Sequence, residues 1–476
     1  MIDYAIKLFL AYILVVELIT KQKTMKTREL IFFTILCSFI MFRAHAQDND
    51  PALRYNMLKT DYITKNYESA LKNLEWCLDN SPKLTANIYI HGGNLLDAVL
   101  KTSPEKKETI AVLGKKMYTK RFENFPEIAP AKAHSDYADF LEEIGGNKEE
   151  IFENYEKAFK IDPTQMGPPS IVKYFTAVVE KYKDKDLQKV FNTYDLTVEA
   201  IEKKVEGYLD GIEKLQEKEA KGQMLISSDK KQLEDYSTNS EYFGKVVLVL
   251  DQKMEEISTC EYLIPLYTAD FEENKTDKVW VTRAINRMFK KDCTEDPLYA
   301  TLVEQYQEID PSPEASVLYA GLLMDKGETE KAISFFDKAI SQETDPAKKA
   351  KNLYKVADIF KKRGQNAKAV SYAKKAIAAK SNFGSAYTMI ASLYAGSVND
   401  CGSDEFEKRM VYVAAKTYAL KASKVDPSIG VYASKLAQAY AANEPSKKLV
   451  FNNELGLKSG DSYTIKCWIG ETVRVP

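Results

Sequence analysis

Beyond residue 46 the chain holds two histidines, His91 and His134, and five cysteines, Cys77, Cys260, Cys293, Cys401 and Cys467. His134 stands beside Ser135 and Asp136, the residue types of a nucleophilic relay. Neighbours on a helix point about 100° apart, so three consecutive residues cannot pass a proton along a line. His91, just before Gly92 and Gly93, reads as a helix-packing or exposed residue. No glycine-rich phosphate loop, Walker lysine or dinucleotide fingerprint occurs. The acidic stretch 397–407 (SVNDCGSDEFE) invites a calcium reading, but its spacing misses the Asp-x-Asp-x-Asp-Gly loop and a solvated loop is expected. Glu/Lys-rich runs such as 213–221 read as solvated helix faces. The expectation is a chain with no catalytic residue, no cofactor and no metal, and not an enzyme.

Whether the cysteines pair depends on compartment. Lys26 and Arg28 follow Met25, residues 30–42 are apolar, and Ala44, His45, Ala46 place small residues at −3 and −1 of a cleavage site. Residues 25–46 therefore read as a signal peptide, with an exported protein starting near Gln47. A second apolar block at 5–19 contains Glu17 and falls short of the roughly 20 residues a spanning helix needs. Residues 1–24 are expected to be a mis-called upstream extension, the alternative being an uncleaved membrane anchor. The expected location is the periplasm or the periplasmic face of the envelope, where disulfides persist. Cys77 sits at a small-residue position of its segment and reads as a core substitute for alanine. Cys260, Cys293, Cys401 and Cys467 then allow three connectivities. Cys260–Cys293, near the ends of neighbouring helices, with Cys401–Cys467, tying a loop to the tail, is the favoured pairing. Buried free thiols are the alternative.

The elements around these residues repeat. Ala320, Leu323, Gly327, Ala332, Phe336 and Ala339 fall at offsets 0, 3, 7, 12, 16 and 19, and Ala357, Phe360, Gly364, Ala369, Ala373 and Ala376 repeat those offsets. A third copy starts at Ala391 and Tyr394 and resumes at Ala415, Ala419, Ala422 and Pro427, with about a dozen extra residues between its helices. Small residues let antiparallel helices approach, Gly ends the first helix in a left-handed conformation, and Asp-Pro stops the second. This order resembles the tetratricopeptide repeat (TPR), most strongly over 313–427. Weaker copies lie at Ala70, Leu74, Cys77 and Pro82, at Tyr155, Ala158 and Pro163, and at Val303, Tyr306 and Pro311.

Two long apolar series interrupt the repeats: Leu187 through Leu215, and Leu233 through Ile257, each with the 3.5-residue period of a coiled-coil seam. A polar, glycine-containing linker at 218–229 points to an antiparallel hairpin, and a long repeat pair within the solenoid is the alternative reading. Residues 462–469 alternate like a strand and could cap the last helix pair. The expected fold is all-α, a TPR-type helical-hairpin solenoid with an inserted long helical hairpin and a short C-terminal β-like tail. Its expected divisions are N-terminal repeats at 47–165, the long-hairpin segment at 166–259, and degenerate helices at 260–312. Repeats with an insertion near 396–408 follow at 313–427, then a capping helix and tail at 428–476.

A balance of 67 Lys+Arg against 69 Asp+Glu, net −2, provides no basic face for nucleic acid. The segments at 400–428 and 462–475, with NYESALKNLEWCLDNSPK at 66–83, are similar to exported TPR proteins of Bacteroidota. That resemblance implies an envelope protein without known enzymatic activity, binding a protein or peptide partner in a groove lined by first helices. The groove would include Glu314, Val317, Met324, Lys351, Tyr354, Asp358, Lys361, Ser385, Thr388 and Ser392. Val317 and Gly321 stand where a carboxylate-gripping Lys and Asn occur in some TPR proteins, so that clamp is missing. A plain solvated face is the alternative for these residues. The functional expectation is a non-enzymatic protein-binding scaffold. A self-assembling envelope protein, its seam pairing between chains, is the second reading and an unrecognised enzyme the third.

Overall fold

The computed structural model describes residues 50–476, so the expected signal peptide at 25–46 and the expected upstream extension at 1–24 lie outside the described residues. Among the described residues twenty α-helices follow one another, with one small β-hairpin at the end. They fall into two units, divided after Ala158.

The first unit holds α1 (Pro51–Ile63), α2 (Tyr67–Asn80), α3 (Asn87–Thr102), α4 (Lys107–Asn124), α5 (Pro130–Glu143) and most of α6 (Lys148–Ile161). Its core gathers Leu58, Ala70, Leu74, Cys77, Leu96 and Met117, all fully buried. Gly92 lets α3 press on its neighbours, since a Cβ there would lie 2.6 Å from Met117 Sδ. Cys77 is a free, buried thiol, as its alanine-like position predicts, and burial pushes it up to about 11. His134 stacks on Phe122 at 4.5 Å and its Nδ1 lies 2.9 Å from Asn154 Oδ1, whereas Asp136 pairs with Lys132 at 2.7 Å. His134 and Asp136 thus engage different partners, as expected of consecutive helical residues.

The second unit opens with α7 (Pro168–Tyr182) and the long pair α8 (Leu187–Ala220) and α9 (Ser227–Glu255). These two helices pack along each other within one chain. Gly211 of α8 sits against the Tyr236 ring of α9, and Asp229 closes the turn by accepting from Ile226 N at 3.2 Å and Lys218 Nζ at 2.5 Å. Then come α10 (Cys260–Asn274), α11 (Lys278–Lys290) and α12 (Pro297–Ile309). The repeats proper are α13 (Pro313–Asp325) with α14 (Thr329–Gln342), α15 (Pro346–Lys362) with α16 (Asn366–Ala379), and α17 (Gly384–Gly396) with α18 (Glu405–Val425). α19 (Gly430–Ala441) and α20 (Lys447–Phe451) close the helical part. Gly327 and Gly364 carry φ of +79° and +70°, the left-handed turns that the spacing predicts. Asp345 accepts from Ala347 N and Lys348 N, so the Asp-Pro pair that stops one helix caps the next.

Two details differ from the sequence expectation. The extra residues of the third repeat form a short loop at 397–404 and lengthen α18 to 21 residues, because residues 405–408 continue the helix behind the Asp404 cap. The tail is not one strand over 462–469: β1 (Ser462–Thr464) pairs antiparallel with β2 (Thr472–Arg474), and the segment between them turns at Cys467 and at Gly470 (φ +61°). Both disulfides of the favoured pairing are present, Cys260–Cys293 with Cα atoms 5.6 Å apart and Cys401–Cys467 at 5.1 Å. Tyr463, Ile465, Ile469 and Val475 join the hydrophobic core of the repeats. Glu471 accepts from Lys374, Tyr394 and Tyr418 and fixes the tail on α16, α17 and α18.

Glu407 gives this region a pH dependence. Its carboxylate accepts from the Ser403 hydroxyl and backbone N–H and from Lys466, which hold it down at about 2. A folded pKa below the unfolded one stabilises above the ordinary carboxylate range, and the contribution is lost as pH falls toward 2. Amide exchange at 403–407 is expected to rise as pH drops below about 4.5, and Glu407→Gln to flatten that rise; an unchanged profile in the variant would remove Glu407 as the cause.

Candidate functional site

Helix α8 carries carboxylates at 195, 199, 202, 206, 210 and 213, steps of three and four residues that align on one side of a helix. Asp186 starts the helix by accepting from Lys189 N at 3.0 Å. The six carboxylates meet partners from three places in the second unit. Asp195 pairs with Arg287, which also donates to the Tyr267 hydroxyl and lies over the Phe191 ring at 4.3 Å. Glu199 takes a two-pronged bond from Arg283, at 2.8 and 2.7 Å. Glu202 accepts from Lys351 at 3.2 Å. Glu206 and Asp210 both accept from Lys380, at 3.2 and 3.0 Å. Glu213 accepts from the Ser381 hydroxyl and from Asn382 Nδ2 at 3.5 Å. Arg283 and Arg287 belong to α11, Lys351 to the start of α15, and 380–382 to the turn between α16 and α17. The ladder therefore runs along an edge from α11 past the first turns of α15 to the turn between α16 and α17.

The rungs differ in environment. Asp195 and Arg287 are buried, with side chains 11% and 8% exposed. Burial raises Asp195 above its usual range despite the adjacent guanidinium. Lys380 is almost enclosed at 11% and its two carboxylates keep it charged, raising it against the opposing effect of burial. Lys351 and Glu202 are more than half exposed. Exposed pairs of this kind contribute about 0–1 kcal/mol each.

Helix α9 adds one close contact on the same edge. A Cβ on Gly244 would fall 1.7 Å from Ser428 O, in the turn 427–429 that leads into α19. Backbone stands on both sides, so Gly244→Ala is expected to push α9 off that turn at about 1–3 kcal/mol. Limited proteolysis near 428 would read the change, and wild-type resistance in the variant would show that the backbones yield without parting.

The groove residues predicted from sequence fall into two groups. Val317 is fully buried in the repeat core and cannot line a groove. The reason is that α12, α14 and α15 all pack on α13, which buries Ala315, Ser316, Val317, Leu318, Ala320, Gly321, Leu322 and Leu323 together. Thr388 is also buried, its hydroxyl bonded to Ser385 O at 3.0 Å. Met324 and Tyr354 are half-buried against the core, Tyr354 edge-on to Phe383 at 5.4 Å. Glu314 is bonded to Lys355 at 2.8 Å, and that lysine holds its carboxyl below the usual range. Asp358 lies 3.7 Å from Lys361, and Ser392 receives the Tyr440 hydroxyl at 3.5 Å. Lys351, Lys361 and half-buried Asp358, Ser385 and Ser392 remain on the surface, with Lys351 at the α8 end of the row.

Sequence reasoning missed the ladder. The carboxylate spacing on α8 is a visible signal, but Glu213 lies in a Glu/Lys-rich run that reads as a solvated face, and the complementary cations are scattered over 283–380. Among the described residues no group of three or more side chains could hold a metal ion, and no helix is long and apolar enough to cross a membrane.

The tetratricopeptide repeat family model matches residues 313–345 and 350–383, the hairpins α13–α14 and α15–α16. Comparison with curated proteins finds no significant match. Among solved structures, the human IFIT1 dimer with PPP-AAAA is similar at 14% identity, covering 66% of this chain and 64% of that one, just under two thirds of its length, with a TM-score of 0.30. Yeast Tom70 is similar at 14% identity, covering 86% of this chain and 98% of that one, with a TM-score of 0.24. The repeat assignment rests on the family match and the observed hairpins rather than on these distant superpositions.

Proposed function

We propose that this chain is a non-enzymatic scaffold that binds protein partners through its TPR hairpins on the periplasmic side of a bacterial envelope. The observation that carries the scaffold reading is the ladder: successive hairpins offer side chains that together engage one long helix, which is the chemistry a protein-binding repeat array uses. Asp358, Lys361, Ser385 and Ser392 stand at the surface of the first helices α15 and α17, the former shared with the ladder residue Lys351. The two disulfides support export, since they persist in oxidising compartments. The apolar seam of α8 and α9 is filled within one chain, with Ile201, Val205 and Ile212 buried alongside Phe243, Leu250 and Met254, which favours a scaffold over self-assembly through that seam.

A photoreactive group at 361 or 385, with 375 as an outer-helix control, tests this in intact cells. The expected result is a discrete protein adduct from 361 and 385 that is missing from 375. Adducts of the chain with itself alone would move the assignment to self-assembly, and equal labelling at all three sites would sink groove binding. Deleting 25–46 is expected to leave the cysteine pairs reduced in cells; oxidised pairs in that variant would contradict export as their cause.

A further inference from the structure

The edge described above is already engaged by a helix of the same chain. We propose that α8 stands in for the partner, and that this edge recognises an acidic helix with carboxylates spaced as at 199, 202, 206, 210 and 213. The proposal rests on the scaffold reading and names the chemistry of one partner.

Three observations carry it. No residue of 187–257 belongs to the hydrophobic core of the repeats, so α8 meets them through charge rather than through shared apolar packing. Between 199 and 213 the carboxylates of α8 meet the edge through ion pairs and hydrogen bonds, and four of the cationic and polar partners, Arg283, Lys351, Lys380 and Ser381, come from three separate places in the chain. In each of these ion pairs the carboxylate stands on α8 and the cation on the edge, which selects a ligand by sign and spacing. Salt screens the exposed Lys351–Glu202 pair most and the more enclosed Lys380 pairs less, so the distal part of α8 can leave while its buried anchor, Asp195 with Arg287, holds the base of the hairpin. Gly244 against Ser428 is the one tight packing point described on this edge and acts as a latch.

A synthetic peptide of residues 197–216 is the probe, and the same peptide with its carboxylates replaced by amides is the control. Three proteins are compared, each as the full exported chain: wild type, a latch-open form carrying Gly244→Val with Glu206→Lys and Asp210→Lys, and an edge form carrying Lys351→Glu with Lys380→Glu. Amide exchange over 199–213 reports whether α8 has left the edge. The expected result is exchange at least 10-fold faster in the latch-open form and peptide affinity at least 10-fold higher than in wild type. Binding should vanish in the edge form and for the amide peptide, and should weaken between 0.05 and 0.5 M salt.

Released α8 without peptide binding would overturn the proposal, as would full protection of α8 in the latch-open form or equal binding of the amide peptide. A dimer of the wild type that the latch-open form dissolves would assign the edge to a second copy and overturn the intramolecular part. Failure here with the in-cell adducts at 361 and 385 intact would leave the scaffold standing and remove only the acidic-helix partner. Loss of those adducts with peptide binding retained would do the reverse.

Discussion

Arg287→Ala is expected to destabilise the second unit by about 3–5 kcal/mol, the cost of removing one partner from a buried ion pair. The guanidinium is 8% exposed, pairs with Asp195, donates to the Tyr267 hydroxyl and covers the Phe191 ring. Without it Asp195 keeps only Arg283, whose Nε lies 3.8 Å from the second carboxylate oxygen. Burial already raises Asp195, so losing the cation raises it further. A folded pKa above the unfolded one means that the folded state holds the proton longer, so the variant should be more stable at pH 5 than at pH 7. Adding Asp195→Leu should recover part of the loss, because a matched apolar pair avoids the stranded charge. Amide exchange over α8 and α11, followed across pH, measures this. A loss below about 1 kcal/mol, or no gain in acid, would show that Asp195 finds another partner or water.

Opening the Cys401–Cys467 bridge is expected to have a comparable effect, about 4 kcal/mol by loop-closure entropy for cysteines 66 residues apart. The bridge joins the 397–404 loop to the turn between β1 and β2, and the tail places Tyr463, Ile465, Ile469 and Val475 in the repeat core. A three-residue pair of strands is too short to hold itself together in water, so the tail depends on that core and on the covalent tie. Cys401→Ala with Cys467→Ala should expose 462–475 to proteolysis and lower the urea midpoint of the unit. The equivalent change at Cys260–Cys293, cysteines 33 residues apart, should cost about 0.6 kcal/mol less, since halving a loop reduces closure entropy by that much. Equal protease resistance of the tail with and without the bridge would show that Glu471 and the apolar side chains suffice.

What the sequence made legible is what short-range chemistry writes locally. Ala at the helix crossings, Gly327 and Gly364 past the first helices, and Asp-Pro after the second ones are each readable within 34 residues or so, and the repeats appear where they fall. The seam of α8 and α9 was legible for the same reason, being periodic along one helix. Val317 was misplaced because helical phase tells which residues share a face and not how many neighbours enclose it; α13 has helices on several sides. The tail alternates like a single strand, but Cys467 is drawn to a loop 66 residues away and breaks the run into two. The cations that answer α8 lie 84 to 174 positions from their carboxylates, a distance no local pattern spans.

A straight helix bridged to several places on a stack of hairpins is also a gauge. From Glu199 to Glu213 α8 advances about 21 Å, and that length must match the pitch at which the stack presents Arg283, Lys351 and Lys380. An array shortened or lengthened by one hairpin would carry Lys380 past the teeth at 206 and 210. A single residue inserted before 206 would swing the later teeth about 100° aside. The number of hairpins between α11 and α17 and the phase of α8 are thus set against each other, like the two scales of a caliper.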